Sequence, residues 1–467
     1  MASDITALAS NLSKQWRELS ERYLPFREEN SIWRFSRRTS RELPEQGWKL
    51  HVSATIVTAC ATLKRIAPYL TTKDLQFKAP ISLDEINKLN SGIHYDYSQI
   101  GKVFTVYPLT PSDAVKTARR LYELTHHLTG PMVPFDYRYG SDGCVYYRYG
   151  SFRYLSIENP DGTRAPALRK PDGELQVDSR TEPKPVWIDG PLVSSEESDE
   201  PDVSSSNPLS TRYRVFRVLS QRGKGGVYKA VDMKSNPPRV CVLKEGRKFG
   251  ELSWDGRDGQ ARIRHEKQVL KQLRSAGIDV PRVFDSFKLD QNCYLALEYI
   301  EGTNLQAWLL KRKRRLTVPQ AVRLASQFAS LVARIHEAGW SWRDCKPGNV
   351  LMQADGTLRP LDFEGACPND RPDGLPWNTD GFTPPSWKAH VQSRRYEDIY
   401  ALGATLYFLF TGRLLTGHNS PDIKKLRRNV PMEVCDLVSE LTSSQPDQMP
   451  SARTVEDTMV AMANYLD

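Results

Sequence analysis

A glycine-rich stretch followed by a buried lysine is the first feature of the sequence that could act on a nucleotide. Gly223, Gly225 and Gly226 lie between two strand-like runs, and glycine lets backbone N–H groups approach phosphate oxygens because it has no Cβ. The next apolar strand ends near Lys244. A lysine there is costly unless it is paired, and Glu266, on a helical stretch, is a suitable partner. Taken alone, the pattern is more typical of an ordinary hairpin followed by a surface lysine. Together with the residues at 335–365, it predicts that these residues bind a nucleoside triphosphate.

The stretch 335–365 carries two carboxylates and an amide at spacings that resemble the catalytic segments of protein kinases. The letters WRD, ending at Asp344, stand where kinases carry HRD, and DFE, beginning at Asp362, replaces DFG. The resemblance implies that Asp344 accepts the proton of the substrate hydroxyl and that Lys346 neutralises charge on the transferred phosphoryl group. It also implies that Asn349 and Asp362 hold Mg²⁺ ions against the phosphates of ATP or another nucleoside triphosphate.

Cationic side chains recur in strand-like parts of the first 160 residues, where short strands alternate with helical stretches. The set contains one imidazole, two amines and two guanidinium groups: His51, Lys78, Lys102, Arg138 and Arg148. Unpaired cations are expensive in such surroundings, and a bound phosphate dianion would explain them. Taken alone, His51 is more typical of a hydrogen-bonded core histidine.

Together the two halves resemble the class III lanthipeptide synthetases. The resemblance lies in GWKLHVSA, FK, GKVFTVYP and YYRYGSF in the first half, and in RGKGGVYKA, VCVLKE, RHEKQVLKQL and LDFEGA in the second. The N-terminal domain of that family is similar to the phosphothreonine lyases of bacterial pathogens. The resemblance implies a bifunctional peptide dehydratase. It would phosphorylate Ser or Thr of a ribosomal precursor peptide with a leader, then eliminate phosphate to give dehydroalanine or dehydrobutyrine.

The family's lyase roles carry over to matching positions of this sequence. Lys78 becomes the candidate general base that removes the Cα proton, and His51 the general acid that protonates the leaving phosphate. The phosphate would be held by Lys102, Arg138, Tyr147 and Arg148. Lys102 stays an alternative to Lys78 as the base, because the sequence does not show which amine faces Cα.

The 467 residues exceed the size of one ordinary core, and three segments are expected. These are a lyase-like α+β domain at 1–160, a linker at 161–210 that is rich in Pro, Ser, Asp and Gly, and a bilobal kinase-like domain at 211–467. Members of the family continue into a cyclase domain, which we expect to be absent here. Any ring closure would then fall to a separate cyclase or another modifying enzyme.

Composition narrows the function class without choosing it. A net charge of +9 suits an anionic partner, and we expect a peptide rather than a nucleic acid. No apolar run is long enough to span a membrane and no secretory signal is evident, so the expected location is the cytoplasm. Two other interpretations compete with the dehydratase. One is a Ser/Thr protein kinase with a regulatory, phosphopeptide-binding N-terminal domain, and the other is a binding scaffold that has lost catalysis.

Overall fold

A computed structural model describes residues 2–37, 42–190, 192, 207–371, 377, 379–384, 394–415, 422–443, 445 and 448–466. It contains an N-terminal α+β domain followed by a bilobal kinase-like domain, and the predicted fold class is confirmed. None of the helices in these ranges combines the length and the apolar character that crossing a bilayer requires.

One antiparallel sheet of seven strands organises the N-terminal domain. Its strands are β1 (Phe26–Arg27), β2 (Trp33–Phe35), β3 (Gln46–Val52), β4 (Gln76–Pro80), β5 (Phe104–Tyr107), β6 (Tyr137–Arg138) and β7 (Val145–Ser151). Their order across the sheet is β1-β2-β4-β5-β3-β7-β6. The helices are α1 (Ala2–Tyr23), α2 (Ala59–Thr72), α3 (Leu83–Ser91) and α4 (Pro111–Thr125).

The two faces of this sheet differ because side chains alternate along each strand. On one face, Leu50, Phe77 and Val106 are fully buried in an apolar core that they share with residues of α2 and α4. The opposite face is polar. The register places Lys78 and His51 on either side of Thr105, which occupies the strand between them. Pairing of β4 with β5, of β5 with β3 and of β3 with β7 therefore brings the cationic residues of distant segments onto one surface.

Much of the predicted linker at 161–210 is folded, which corrects the prediction for residues 164–190. β8 (Ser156–Glu158), β9 (Arg164–Arg169) and β10 (Leu175–Val177) form a small antiparallel sheet. Arg169 binds Glu45 through Nε at 2.9 Å, and the Trp187 ring meets Tyr149 edge-on. The composition was misleading because the glycine and proline residues of this segment suit tight turns between its strands. Ion pairs and one packed tryptophan stabilise the segment although it has few apolar residues. The acidic run after Leu192 lies outside the described residues.

The N-lobe of the kinase-like domain follows a short helix, α5 (Pro208–Thr211). Five antiparallel strands pair in the order first, second, third, fifth, fourth: β11 (Tyr213–Arg222), β12 (Gly225–Asp232), β13 (Arg239–Gly246), β14 (Val283–Leu289) and β15 (Asn292–Glu298). The helix α6 (Gly259–Ser275) begins at Asp258, whose carboxylate accepts the backbone N–H of Ala261 and caps the first turn. This cap orients the face of α6 that carries Glu266.

The C-lobe is mostly helical. Its helices are α7 (Leu305–Lys311), α8 (Val318–Glu337), α9 (Arg395–Thr411), α10 (Ile423–Leu426), α11 (Met432–Leu441) and α12 (Ala452–Leu466). Its short strands are β16 (Thr303–Asn304), β17 (Trp340–Ser341), β18 (Val350–Met352), β19 (Leu358–Pro360) and β20 (Cys367–Pro368). A capping box at Thr317 starts α8, and α9 is buried along nearly its whole length. The loops around these strands carry the remaining catalytic candidates.

Candidate functional site

Lys244 lies at the centre of the first cluster of functional side chains. From β13 its Nζ reaches both carboxylate oxygens of Glu266 on α6, at 2.7 and 2.9 Å, and Oδ1 of Asp362 at 3.2 Å. Burial alone would lower the pKa of Lys244, but the carboxylates of Asp362, Glu266 and Glu364 offset this effect and raise it. The same ammonium, aided by Lys224, holds the pKa of Asp362 below its usual range despite burial. Lys244 is therefore charged and Asp362 is ionised.

Asp344 is the centre of a second group, at the start of the loop before β18. Lys346 donates to its two carboxylate oxygens at 2.7 and 3.0 Å, and Thr379 donates to Oδ1 at 3.0 Å. Asn349 uses its amide N–H to bond the backbone and carboxylate oxygens of Asp344, at 2.9 and 2.6 Å. The structure thus brings together the three residues that the sequence placed within six positions.

The DFE segment is held by contacts that replace the usual ones. Trp342 donates its indole N–H to the carbonyl of Asp362 at 3.0 Å and stacks on Phe363, with 5.3 Å between ring centres. Glu364 accepts a 2.5 Å ion pair from Lys224 of the glycine-rich loop, and its side chain is only 7% exposed. Trp342 therefore contributes packing where histidine is usual, and Glu364 ties the loop to the segment below it.

Oxygen donors suited to Mg²⁺ are available in this cleft. The carboxylates of Glu266, Asp362 and Glu364 offer oxygens that lie within 4.8 Å of one another. The amide N–H of Asn349 donates to Asp344, so its amide oxygen is the atom that would coordinate a metal ion. Hard oxygen ligands of this kind fit Mg²⁺. We conclude that the residues fit the ion that a protein kinase requires.

The glycine-rich loop closes over a cleft of about 1020 Å³ between the two lobes. Gly223 and Gly225 pack so closely that a Cβ on either would lie 1.7 Å from a backbone carbonyl oxygen, of Asn90 and Glu245 respectively. Gly226 lies against the hydroxyl of Tyr228. Glycine is thus required at positions 223 and 225 by the close approach of these two carbonyl groups, in addition to the access to phosphates that the sequence suggested.

A buried carboxylate organises the polar face of the N-terminal sheet. Oδ2 of Asp136 lies 2.6 Å from Nδ1 of His51, and Oδ1 lies 2.9 Å from Nζ of Lys102. The Asp136 side chain is fully buried. Burial lowers the pKa of His51 to about 4, although Asp136 opposes this change. Burial also lowers the pKa of Lys102, against the same carboxylate. Nδ1 of the neutral imidazole therefore donates to Asp136, which leaves Nε2 for a substrate.

Two further amines share this face. Nζ of Lys78 lies 4.1 Å from the ring centre of Trp33, and burial together with Arg180 lowers the pKa of Lys78 to about 8. Lys49 precedes His51 by two residues on β3 and is lowered to a pKa of about 7, chiefly by burial and then by nearby cations. Both amines thus have a substantial neutral fraction near neutral pH, which ordinary lysines lack.

The residues expected to hold phosphate are placed differently from one another. Arg148 is paired with Lys49 in the sheet, and its Nη2 donates to Asp178 at 2.6 Å. Arg138 gives Nε and Nη2 to the carbonyl of Gly143, at 3.0 and 2.9 Å, and so closes the turn before β7.

Tyr147 requires a correction. Its side chain is fully buried on the apolar face, between Trp48 and Tyr137, because it alternates with Arg148 along β7. It cannot assist phosphate binding from there.

Several residues of the two clusters were not identified from the sequence. Lys49 carried a usable signal, since period-two alternation places it beside His51 in any strand. Asp136 and Asp178 carried none, because each meets its partner only when distant segments pair. Lys224 and Glu364 were visible as charges, but their ion pair crosses 140 positions of the chain.

Comparisons with known proteins match both halves of the chain. Residues 16–204 match the family model described as RamC, N-terminal domain, and residues 213–465 match the protein kinase domain. The chain is 30% identical to the probable SapB synthase of Streptomyces coelicolor, over 79% of this chain and 40% of that protein. It is 26% identical to serine/threonine-protein kinase F of Synechocystis sp., over 53% of this chain and 54% of the kinase. It is 29% identical to serine/threonine-protein kinase PknA of Mycobacterium tuberculosis, over 44% and 48%.

The chain therefore spans less than half of the SapB synthase and about half of each kinase. The matches to the two kinases cover about as many residues as the C-terminal domain contains. The match to the SapB synthase covers more residues than that domain. Matches in both halves and in this order confirm the resemblance drawn from the sequence.

Proposed function

Because this chain belongs to the protein kinase family and joins its kinase domain to a RamC-type N-terminal domain, we propose that it is a peptide dehydratase. Its substrate would be Ser or Thr of a precursor peptide, by similarity to the SapB synthase. One observation carries the proposal. A complete set of kinase catalytic groups shares the chain with a second polar cluster, in which an imidazole, a buried carboxylate and amines of lowered pKa lie on one sheet face.

The first step transfers a phosphoryl group. The side-chain oxygen of the peptide residue forms a bond to the γ-phosphorus, the bond to the bridging oxygen breaks, and the hydroxyl proton passes to Asp344. Lys346, already bonded to Asp344, supplies positive charge to the developing phosphoryl oxygens. Lys244 is positioned by Glu266 to bind phosphate oxygens of the nucleotide. Mg²⁺, held by Asp362 and the Asn349 amide oxygen, would neutralise phosphate charge when bound.

The second step eliminates that phosphate in the N-terminal domain. A neutral amine removes the Cα proton, the electron pair forms a double bond to Cβ, and the Cβ–O bond breaks. His51 Nε2 gives a proton to the departing phosphate oxygen. Over both steps the peptide loses one water, while the nucleoside triphosphate becomes a diphosphate and free phosphate. Atoms and charge balance without an oxidant or reductant.

The sequence left open whether Lys78 or Lys102 is the base. Lys78 suits that role better. Burial lowers the pKa of Lys102 too, but its Nζ is held in an ion pair with the carboxylate of Asp136 at 2.9 Å and is therefore engaged by that group. Lys78 instead lies against the ring of Trp33 and has a pKa of about 8, so roughly a tenth of it is neutral at pH 7. Lys49 and Arg148 lie side by side and are our candidates to hold the phosphate.

A bound phosphorylated residue would supply the negative charge that His51 needs to hold a second proton. With a pKa of about 4, its imidazole carries no extra proton at neutral pH. A phosphate dianion beside Nε2 favours the protonated form and raises that pKa. The acid is therefore formed only when a phosphorylated residue is bound.

A regulatory phosphopeptide-binding domain is the second candidate, favoured by the kinase relatives that match the C-terminal half. Binding a phosphate needs charged cations, which are cheapest when their pKa values are high. Burial instead lowers the pKa of Lys78, the amine that we propose as the base. A lowered pKa increases the neutral fraction of an amine, which a base requires and which weakens the binding of a phosphate. Elimination therefore explains the cluster better than phosphate binding alone.

Mass spectrometry of the peptide product separates the two candidates. With Mg²⁺ and ATP, the dehydratase should give a peptide that has lost one water per modified residue, whereas a plain kinase gives a stable phosphopeptide. We expect Lys78→Ala to accumulate phosphopeptide, because the base is missing while the kinase is intact. Asp344→Asn should leave the peptide unmodified.

Lys116→Ala is the matched control, since Lys116 lies exposed on α4 of the same domain. It should dehydrate the peptide like the unaltered protein. Normal dehydration by Lys78→Ala would exclude Lys78 as the base.

A further inference from the structure

The apex of the glycine-rich loop is bonded to the N-terminal domain. The backbone N–H of Gly223 donates to the carbonyl of Ser91, the last residue of α3, at 2.8 Å. The neighbouring carbonyl of Asn90 occupies the space that a Cβ on Gly223 would fill. This loop covers the nucleotide in protein kinases and must keep its place to bind phosphates. Here one of its backbone groups is satisfied by another domain.

A second contact lies directly behind the loop. The guanidinium of Arg247 lies 5.1 Å from the ring centre of Tyr97, which belongs to the N-terminal domain. Arg247 also donates to Glu245 at 2.9 Å and to the carbonyl of Arg222 at 3.3 Å, and it is buried. Its backbone N–H donates to the carbonyl of Lys224 at 2.8 Å. Arg247 therefore bonds the carbonyl groups on both sides of Gly223, and its guanidinium packs on the ring of Tyr97.

The same part of the N-terminal domain reaches the lyase-like cluster. The Asn90 side chain accepts the backbone N–H of Gly101, beside Lys102, at 3.2 Å and donates to Ala54 at 2.9 Å. The Tyr97 ring meets Phe135, the neighbour of Asp136, with 5.9 Å between ring centres. The segment that holds the glycine-rich loop is thus packed against the residues flanking Asp136 and Lys102.

The cleft itself is lined by both domains. Beside Lys244, Asp344 and Asp362, its walls include Lys88 and Ser91 of α3 and His94 just after it. A nucleotide in this cleft therefore lies between the kinase lobes and α3, and any shift of α3 changes the space under the loop.

We propose that the N-terminal domain completes the nucleotide site, with Tyr97 and Arg247 as positioning residues that hold the glycine-rich loop over the phosphates. The nucleotide and the 88–101 segment are then linked in both directions, because a contact that favours binding is itself favoured when the nucleotide binds. The proposal depends on the kinase domain and not on elimination, so failure of the lyase assignment would leave it intact.

The test is nucleotide affinity in the full chain, measured without peptide by titration with fluorescent N-methylanthraniloyl-ATP and Mg²⁺. Tyr97→Leu removes the aromatic face under Arg247 and should raise Kd about fivefold, the size expected for loss of one partly buried cation–π contact. In turnover assays the KM for ATP should rise by the same factor, with kcat at saturating ATP changed less than twofold. Tyr97→Phe keeps the ring and should restore the affinity.

Tyr122→Leu is the matched control, because Tyr122 lies on α4 of the same domain and its hydroxyl bonds Asp142 rather than a residue of the kinase domain. Its Kd should stay within twofold of the unaltered chain. An unchanged Kd in Tyr97→Leu, or an equal rise in both leucine variants, overturns the proposal. Hydrogen–deuterium exchange on the unaltered chain gives an independent decision. A non-hydrolysable ATP analogue with Mg²⁺ should slow exchange at 88–101, and no change there also overturns it.

Discussion

Replacing Asp136 with asparagine tests the centre of the lyase-like cluster. One of its carboxylate oxygens lies 2.6 Å from Nδ1 of His51, and the other forms an ion pair with Nζ of Lys102 at 2.9 Å. Asparagine keeps the shape but offers only one acceptor oxygen. Either the imidazole must then change tautomer, which moves the proton from Nδ1 to Nε2, or Lys102 must face an N–H group. Both outcomes disturb the group that protonates the leaving phosphate.

The structure sets the magnitude of the effect on stability. Breaking a buried ion pair by removing one charge costs about 3–5 kcal/mol. Lys102 can lose its proton, because burial already lowers its pKa, and this lowers the expected cost to about 2–3 kcal/mol. For a domain of this size such a loss lowers Tm by about 4–12 °C.

The effect on catalysis should be larger and confined to one step. Loss of a correctly oriented general acid lowers a rate by about a hundredfold or more. We therefore expect Asp136→Asn to slow phosphate release from a synthetic phosphoserine peptide by at least that factor. Phosphorylation of the unmodified peptide should continue at its usual rate, since Asp344 is untouched.

Asp142→Asn serves as the control, because Asp142 is an exposed aspartate of the same domain. It should change neither rate. Elimination within threefold of normal in Asp136→Asn, with an unchanged Tm, would refute the assigned role of the carboxylate.

Two further predictions concern groups on the same sheet face. After reductive methylation with ¹³C-formaldehyde, NMR should show that Lys49 and Lys78 titrate with pKa values of about 7 and 8. Added inorganic phosphate should raise the pKa of Lys49, because an adjacent dianion favours the charged amine. Titration of both amines above pH 10 would contradict this prediction. Asp178→Asn removes the partner that orients Arg148 and should raise the KM for a phosphopeptide about tenfold, with ATP turnover unchanged. An unchanged KM would show that the segment after β10 does not support the site.

Local spacing explains why the kinase cluster was visible in the sequence. Asp344, Lys346 and Asn349 fall within six positions, and a loop of that length leaves few arrangements open to them. Lys244 and Glu266 are farther apart, but a charge in a buried strand requires a partner of opposite sign. Chemistry of this kind is determined by residue type and short-range order.

The lyase-like cluster shows where such reasoning ends. Their charge in strand-like surroundings was enough to group Lys78 and His51, but it did not reveal Asp136, which approaches from a loop 85 positions after His51. Alternation of side chains along β7 would have excluded Tyr147, whose neighbour Arg148 faces the cluster. Composition failed for 164–190 because it measures apolar content and not specific pairing.

By itself the sequence determined the order of the two domains and the presence of the kinase motifs, and it suggested the residues that we propose for each phosphate reaction, since these depend on side-chain type and spacing. Tertiary structure alone showed that the carboxylate of Asp136 lies against His51 and Lys102, that Lys78 lies against Trp33, and that Ser91 and Tyr97 contact the glycine-rich loop and Arg247. Those properties arise from burial and from contacts between segments far apart in the chain, and an electrostatic environment exists only once such segments are packed together.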